Sequence, residues 1–457
     1  MDDLKLAVQT LQDKAIEYTP LFDYYAGNQP LRYAADRLKD IFQDRQTAFT
    51  QNWCAVVVNA VIDRLELTQW SVGDDEAASQ ALNELWRTTG LEADMEATHR
   101  AVAVTGEGYV LAWAGDDGVE GYYHDPRICH IWYEAENPRR KRMGAKWWRD
   151  DAGAWRLNLY YPDRILHYVG GDSDLADASS FRLESEERNT AGVVPLFHFY
   201  RDRHLLLSEL DNVIPLQDAI NKLLGDMMIA AEFGAFRQRW IVTNADTSKL
   251  RNAPNEIWEL PAAGPGEQPT TAGEFATTDL QNYLGAIDKL AVSIGIITST
   301  PRHYFYAQGG DPSGEALIAM EAPLIRKVKR FQECLGDSWS DVASFLLALT
   351  GMVVDPLDIT PLWESATTVQ PRTQAEIRQM DVASGIPLVT VLRDEGWTNA
   401  DLEQMQADKG AEQAAQQAQL AGAMMRAQQV FDQNAGPGVG AADTDGKAAF
   451  DGYLVTN

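Results

Sequence analysis

Apolar residues recur at steps of three and four along much of this chain, and the period changes over one central stretch. One helical stripe comprises Leu280, Tyr283, Leu284, Ile287, Leu290, Ala291, Ile294 and Ile297. A second comprises Leu317, Met320, Leu324, Val328, Phe331, Leu335, Trp339, Val342, Leu346 and Leu349, with Pro323 inside it predicting a kink. A third, Leu216, Ile220, Leu223, Leu224, Met227, Met228 and Ala231, predicts a helix over residues 215–236, with Pro215 in its first turn. A helix with one continuous apolar stripe seeks neighbours on that side and leaves the other to solvent. The first two stripes are separated by a Pro- and Gly-bounded loop carrying His303, Tyr304, Phe305 and Tyr306 in a row. A short, specific loop between long helices is more often functional than a plain connector.

The N-terminal part also reads as helical. Leu4, Val8, Leu11 and Ala15 form a short stripe that Pro20 is expected to end, followed by a turn cluster over residues 24–31. Further helices are predicted over 49–65, with Trp53, Val56, Val57, Ala60, Val61 and Leu65 inward, and over 77–89 and 91–105. From Gly108 the period falls to two. Strands are predicted over 109–113, 129–133, 145–149, 155–161, 164–168 and 193–200. A small strand at 239–243 opens an irregular insert that closes at Thr278, a suitable N-cap. After Gly351 come a strand over 359–363 and helices over 374–384, 387–395 and 399 onward. Residues 411–429 are Ala- and Gln-rich and helix-prone, whereas 436–446 lack an apolar pattern and read as a flexible tail. The fold class is therefore α+β and mainly helical, with no internal repeat.

Composition narrows the function. The chain has 457 residues, and 39 basic against 67 acidic residues give a net charge of −28. A protein whose main task is gripping nucleic acid would be basic, because affinity comes from neutralising phosphates. Either the chain avoids nucleic acid, or it tolerates nucleic acid nearby without adhering. Cys54, Cys129 and Cys334 are too scattered for a disulfide framework or a structural zinc site. The N-terminus lacks a secretory leader pattern, and no apolar window of about eighteen residues predicts a membrane span. The seven histidines are dispersed, so no metal is expected. Gly106-Glu107-Gly108 precedes a strand and lacks the further glycine of a phosphate loop. No Gly-Lys-Ser/Thr signature is present, so any ATPase must be another protein. No cofactor is implied, and nothing in the sequence pairs Glu107 with another carboxylate for acid/base work.

Several segments together resemble the portal proteins of long-tailed (siphovirus-type) bacteriophages, the type found in phages of Gram-positive and actinobacterial hosts. They are Tyr24-Tyr25-Ala26-Gly27-Asn28-Gln29-Pro30-Leu31, Asn52-Trp53-Cys54 with Asp63-Arg64-Leu65, and Gly106-Glu107-Gly108-Tyr109-Val110. Later come Asp218-Ala219-Ile220-Asn221-Lys222-Leu223, Thr300-Pro301-Arg302-His303-Tyr304, Ser313-Gly314-Glu315-Ala316-Leu317 and Ile359-Thr360-Pro361-Leu362-Trp363. The resemblance implies a portal fold of wing, stem, clip and crown assembling as a dodecameric ring at one capsid vertex. It implies a wing over 1–208 including the β-rich region 108–200, stem helices over 209–239 and 279–299, and a clip over 240–278 between them. A channel loop over 300–312, a kinked long helix with a wing strand over 313–370, crown helices over 371–433 and a tail over 434–457 complete it. The implied role is structural and non-enzymatic: a conduit for packaging and ejection of double-stranded DNA. Implied partners are the terminase, the head–tail adaptor, and the major capsid and scaffold proteins. The implied location is the virion, after assembly in the host cytoplasm. The alternatives are another head-assembly protein, minor capsid or scaffold, and a cytosolic hydrolase using carboxylates.

Two sites follow. Arg302, His303, Tyr304, Phe305, Tyr306 and Gln308 are the candidate DNA-channel loop, with packing between neighbouring helices an equal reading for Tyr304 and Phe305. Glu256, Ile257, Trp258, Glu259 and Leu260 are the candidate clip surface that docks terminase and adaptor. The basic cluster Lys327, Lys329 and Arg330 reads as a solvated face paired with Glu333 in preference to a phosphate or intersubunit contact. The run Arg139-Arg140-Lys141-Arg142 reads as a hairpin turn with solvated charges.

Overall fold

The computed structural model describes residues 2–29, 51–115, 118–172, 176–235, 239–243, 246–247, 258, 269–276, 279–305, 314–367, 371–394, 397 and 399–434. Residues Met1–Val369 form one compact unit and Gln370–Asn457 another.

In the first unit, helix α1 (Asp2–Ala26) continues through Pro20, which was expected to end it. Proline removes one backbone bond to the carbonyl four residues earlier. That residue, Ile16, is 75% exposed, so the freed carbonyl lies on the solvent side. Helix α2 (Trp53–Ile62) is capped by Asn52, whose side chain accepts from the Ala55 amide at 3.0 Å. Strand β1 (Leu67–Val72) and helices α3 (Glu76–Thr88) and α4 (Leu91–Thr105) follow. Gly90 and Gly106 bracket α4 with φ of 79° and 90°, a conformation glycine adopts without a Cβ penalty.

The β-rich region forms two antiparallel sheets. Strand β2 (Glu107–Gly115) lies between β3 (Gly118–His124) and β9 (Leu196–Tyr200). The meander β4 (Cys129–Tyr133), β5 (Lys141–Arg149), β6 (Trp155–Tyr160), β7 (Arg164–Val169) and β8 (Arg182–Arg188) makes the second. Strands β3 and β8 were not anticipated. All residues of β8 are exposed, so no alternation marks it; it is held by backbone pairing to β7.

Helix α5 (Ile214–Ala235) packs on α6 (Gln281–Thr298), and between them in sequence β10 (Arg239–Val242) pairs with β11 (Thr271–Glu274). Helix α7 (Gly314–Leu349) runs unbroken through Pro323. It buries Leu324, Val328, Phe331, Leu335, Trp339, Val342 and Leu346 in one core with α2, α4 and α6. Strand β12 (Ile359–Trp363) returns to pair with β1, Val72 facing Ile359, which ties the segment after α7 to the N-terminal part.

Four residues predicted inward point out: Leu284 is 41%, Ile297 53% and Met320 40% exposed, and Ala231 is exposed as well. The apolar stripe of α6 is wider than the core beneath it, so only Ile287, Ala291 and Ile294 are buried. Thr278, the expected cap of α6, lies outside the described residues; Asp279 accepts from the Gln281 amide at 2.9 Å. The second unit consists of α8 (Pro371–Ala383), α9 (Leu388–Asp394) and α10 (Asn399–Asn434). The expected tail over 436–446 lies outside the described residues.

Candidate functional site

Helix α6 stops because Ser299 takes a left-handed φ of 58° and the Thr300 amide turns back to the Gly295 carbonyl at 2.9 Å. The Thr298 carbonyl accepts from Lys327 Nζ at 2.8 Å, placing a cation at the negative end of the helix. Lys327 also pairs with Glu209, which in turn holds Arg201. Burial lowers the Lys327 pKa and the Glu209 charge opposes that shift. The basic cluster therefore divides: Lys327 is a half-buried structural cation, whereas Arg326, Lys329 and Arg330 lie on the exposed face. The predicted pairing with Glu333 is not formed among the described residues.

Pro301 leads into a 3-10 turn over Arg302–Tyr304. Phe305 stacks on Trp53 with ring centroids 4.9 Å apart, and the Arg64 guanidinium lies 5.9 Å from the Tyr304 ring. His303 Nε2 sits 3.3 Å from one Glu321 oxygen, and the other accepts from Arg64 Nη2 at 2.9 Å. Tyr304 and Phe305 are thus half-buried against elements of their own chain, while Arg302 is exposed at the rim of a groove of about 200 Å³. Tyr306 and Gln308 lie outside the described residues. Of the second candidate set only Trp258 is described, half-buried with Arg239 5.7 Å from its ring. Glu256, Ile257, Glu259 and Leu260 lie outside.

The basic run at 139–142 is resolved by pairing as well as by solvent. Arg140 reaches Glu134 at 3.3 Å, and Arg142 meets Asp3 of α1 at 2.9 Å. Lys141 instead lies over the Phe197 ring at 3.8 Å.

Sequence reasoning missed the most concentrated polar cluster. Glu107, fully buried where α4 passes into β2, accepts from Lys14 (2.6 Å) and Tyr18 (2.6 Å) on one oxygen. Its other oxygen accepts from Tyr109 (2.6 Å) and His198 (2.9 Å). Lys14 further donates to the Cys129 carbonyl at 3.1 Å and lies 3.0 Å from His130 Nδ1. Burial raises the Glu107 pKa, but Lys14 and His198 overcome it and hold the carboxyl well below its usual range. Burial brings His130 down to about 3. A carboxylate has about four lone-pair sites, and here each has a donor, so Glu107 has no capacity left to act on a substrate. Its work is to fasten α1 to β2, β4 and β9. The available signal was Lys14, a cation on the apolar stripe that continues from Leu11 to Tyr18. Its partner lies far along the chain, and only the fold brings them together. Among the described residues no group of three or more His, Cys, Asp or Glu is arranged to hold a metal ion. No helix among them is long and apolar enough to cross a membrane.

Comparison with known proteins gives the context for this geometry. The portal protein of Mycobacterium phage D29 is 22% identical over 383 residues, covering 76% of each chain. The portal protein of Mycobacterium phage L5 is 25% identical over 375 residues, again 76% of each. Among solved structures, a chain of the virion of a native gene transfer agent particle aligns with a TM-score of 0.42 at 14% identity, covering 81% of this chain and 95% of that one. A chain from the neck of an empty gene transfer agent particle gives 0.43 at 14%, covering 79% and 93%. The family described as phage portal protein, SPP1 Gp6-like, matches residues 7–416. With nearly all of the first unit and about half of the second inside that match, the chain belongs to the SPP1 Gp6-like family of phage portal proteins.

Proposed function

We propose that the chain is one subunit of a closed homo-oligomeric ring, a dodecamer, through which double-stranded DNA enters and leaves the phage head. As a portal protein it serves in the virion, at the portal vertex of the capsid. The observation that carries this reading is the family match over residues 7–416. The fold supports it: a helix pair, α5 and α6, carries the β10–β11 hairpin between its members, and α6 keeps apolar side chains exposed that a neighbour would cover.

In this reading residues 1–208 form the wing, 209–239 and 279–299 the stem, and 240–278 the clip that meets terminase and adaptor through 256–260. Residues 300–312 form the channel loop, anchored by Phe305 on Trp53 and by His303 on Glu321. Residues 313–370 supply the long helix and the wing strand, 371–433 the crown, and 434–457 the tail. The head shell and its scaffold are the remaining partners. The subunit carries out no catalysis. The ring acts by shape and charge: with 67 acidic against 39 basic residues per copy, the assembly as a whole repels phosphates, so the duplex slides with little adhesion. Labelling intact particles with an antibody to the chain tests this. Label at a single vertex of each head is the expected result, and label spread over all vertices or absent from particles contradicts it.

A further inference from the structure

The solvent face of α7 is divided by charge. Met320, Pro323, Arg326 and Arg330 follow one another at steps of three and four, so they share one side of the helix, with Lys329 beside them. Arg326, Lys329 and Arg330 are exposed, and among the described residues none makes an ion pair or hydrogen bond. Three unpaired cations side by side are unusual for a chain with a net charge of −28. The same side continues into the groove of about 200 Å³, walled by Ile296, Phe305, Met320 and Pro323. Ile296 is 75% and Met320 40% exposed there. The surface is thus an apolar hollow flanked by a row of cations.

We infer that this α6–α7 face is a docking surface for a second copy of the chain, which seats an apolar side chain in the hollow and places carboxylates on Arg326, Lys329 and Arg330. The inference rests on the ring reading above. Two observations select this occupant. A DNA duplex presents phosphates to the cations but no aliphatic projection to fill a hollow walled by Ile296, Phe305, Met320 and Pro323. A further copy supplies both, because it carries 28 more acidic than basic residues and exposes several large apolar side chains. A surface that is cationic on an acidic molecule also fits the head-to-tail contact that closes a ring, in which two different faces of the subunit meet.

The test compares the full-length chain with its R326E/K329E/R330E variant by sedimentation velocity over a range of protein and salt concentrations, with circular dichroism as the control for folding. In parallel, rings assembled from mixed 14N and 15N chains are treated with a carbodiimide, which joins a lysine amine to a carboxylate in contact with it, and the links are mapped by mass spectrometry. The expected result is a folded variant whose assembly needs at least tenfold more protein, and a mixed-isotope link from Lys329. A wild-type ring that the variant forms equally well, with Lys329 linked only within its own chain, overturns the docking face alone. That includes the case in which the variant ring retains less double-stranded DNA, which would assign the cations to phosphates. A wild-type chain that forms no ring overturns the ring reading itself and the docking face with it.

Discussion

Replacing Lys14 by methionine keeps the side-chain length and removes the charge that faces Glu107. The carboxylate then stays buried with Tyr18, Tyr109 and His198 as donors but without its ion-pair partner at 2.6 Å. Glu107 is fully buried, and the Lys14 side chain is only 8% exposed. Solvent therefore screens the loss poorly, and breaking such a pair costs roughly 3–5 kcal/mol. Against a total stability of about 5–15 kcal/mol for a domain, that is a large fraction. Glu107→Gln leaves the lysine uncompensated and is expected to cost a similar amount. The double variant K14M/E107Q removes both charges, and its cost should fall short of the sum by on the order of 2–3 kcal/mol. Urea unfolding followed by tryptophan fluorescence at pH 7 measures all three. Amide hydrogen exchange locates the effect, which should be fastest opening in α1, the element the pair fastens. Single variants that each cost less than about 1 kcal/mol, or a double variant whose cost is simply additive, would refute the assignment of this pair as the clasp of α1.

Other outcomes follow from particular residues. His99 is held neutral, at about 3, by burial; its Nε2 accepts from Trp339 and its Nδ1 faces the Leu65 carbonyl. The unfolded chain takes up that proton near pH 6.5 and the folded chain only near 3. Stability is therefore complete above pH 6.5 and falls by up to about 1.4 kcal/mol per pH unit on acidification through that window. Urea midpoints at pH 7 and pH 5 check this, and His99→Gln should flatten the slope. Gly106→Ala should cost more than about 1 kcal/mol, measured by the same unfolding curves, because it combines an unfavourable φ of 90° with a Cβ 2.5 Å from the Leu206 carbonyl carbon. Deleting residues 306–310 from the proposed channel loop should leave ring assembly unchanged and lower the DNA retained per head; unchanged retention would remove that segment from the conduit.

The parts of the fold legible in the sequence were those with a strong local cause. Helix α4 matches its expected bounds because a glycine with positive φ stands at each end. Helix α7 was legible because ten apolar residues keep a helical period, and nine of them find core or partial cover. Strand β8 was not, since its charged, wholly exposed residues carry no alternation and its pairing with β7 is a property of the sheet. Lys14 did not stand out, because Glu107 reaches it only through the tertiary fold. At the candidate loop, local pattern marked the four aromatics as special but did not say which way they point. Tyr304 and Phe305 are held by Arg64 and Trp53, both distant in sequence. The family resemblance supplied what periodicity does not, a role, and the match over residues 7–416 agrees with it.

Native mass spectrometry of the purified full-length chain, with negative-stain images of the same sample, tests the ring most directly. A closed dodecameric species with a hole on its axis is the expected result. A compact single chain at every concentration, with no ring in the images, would contradict it.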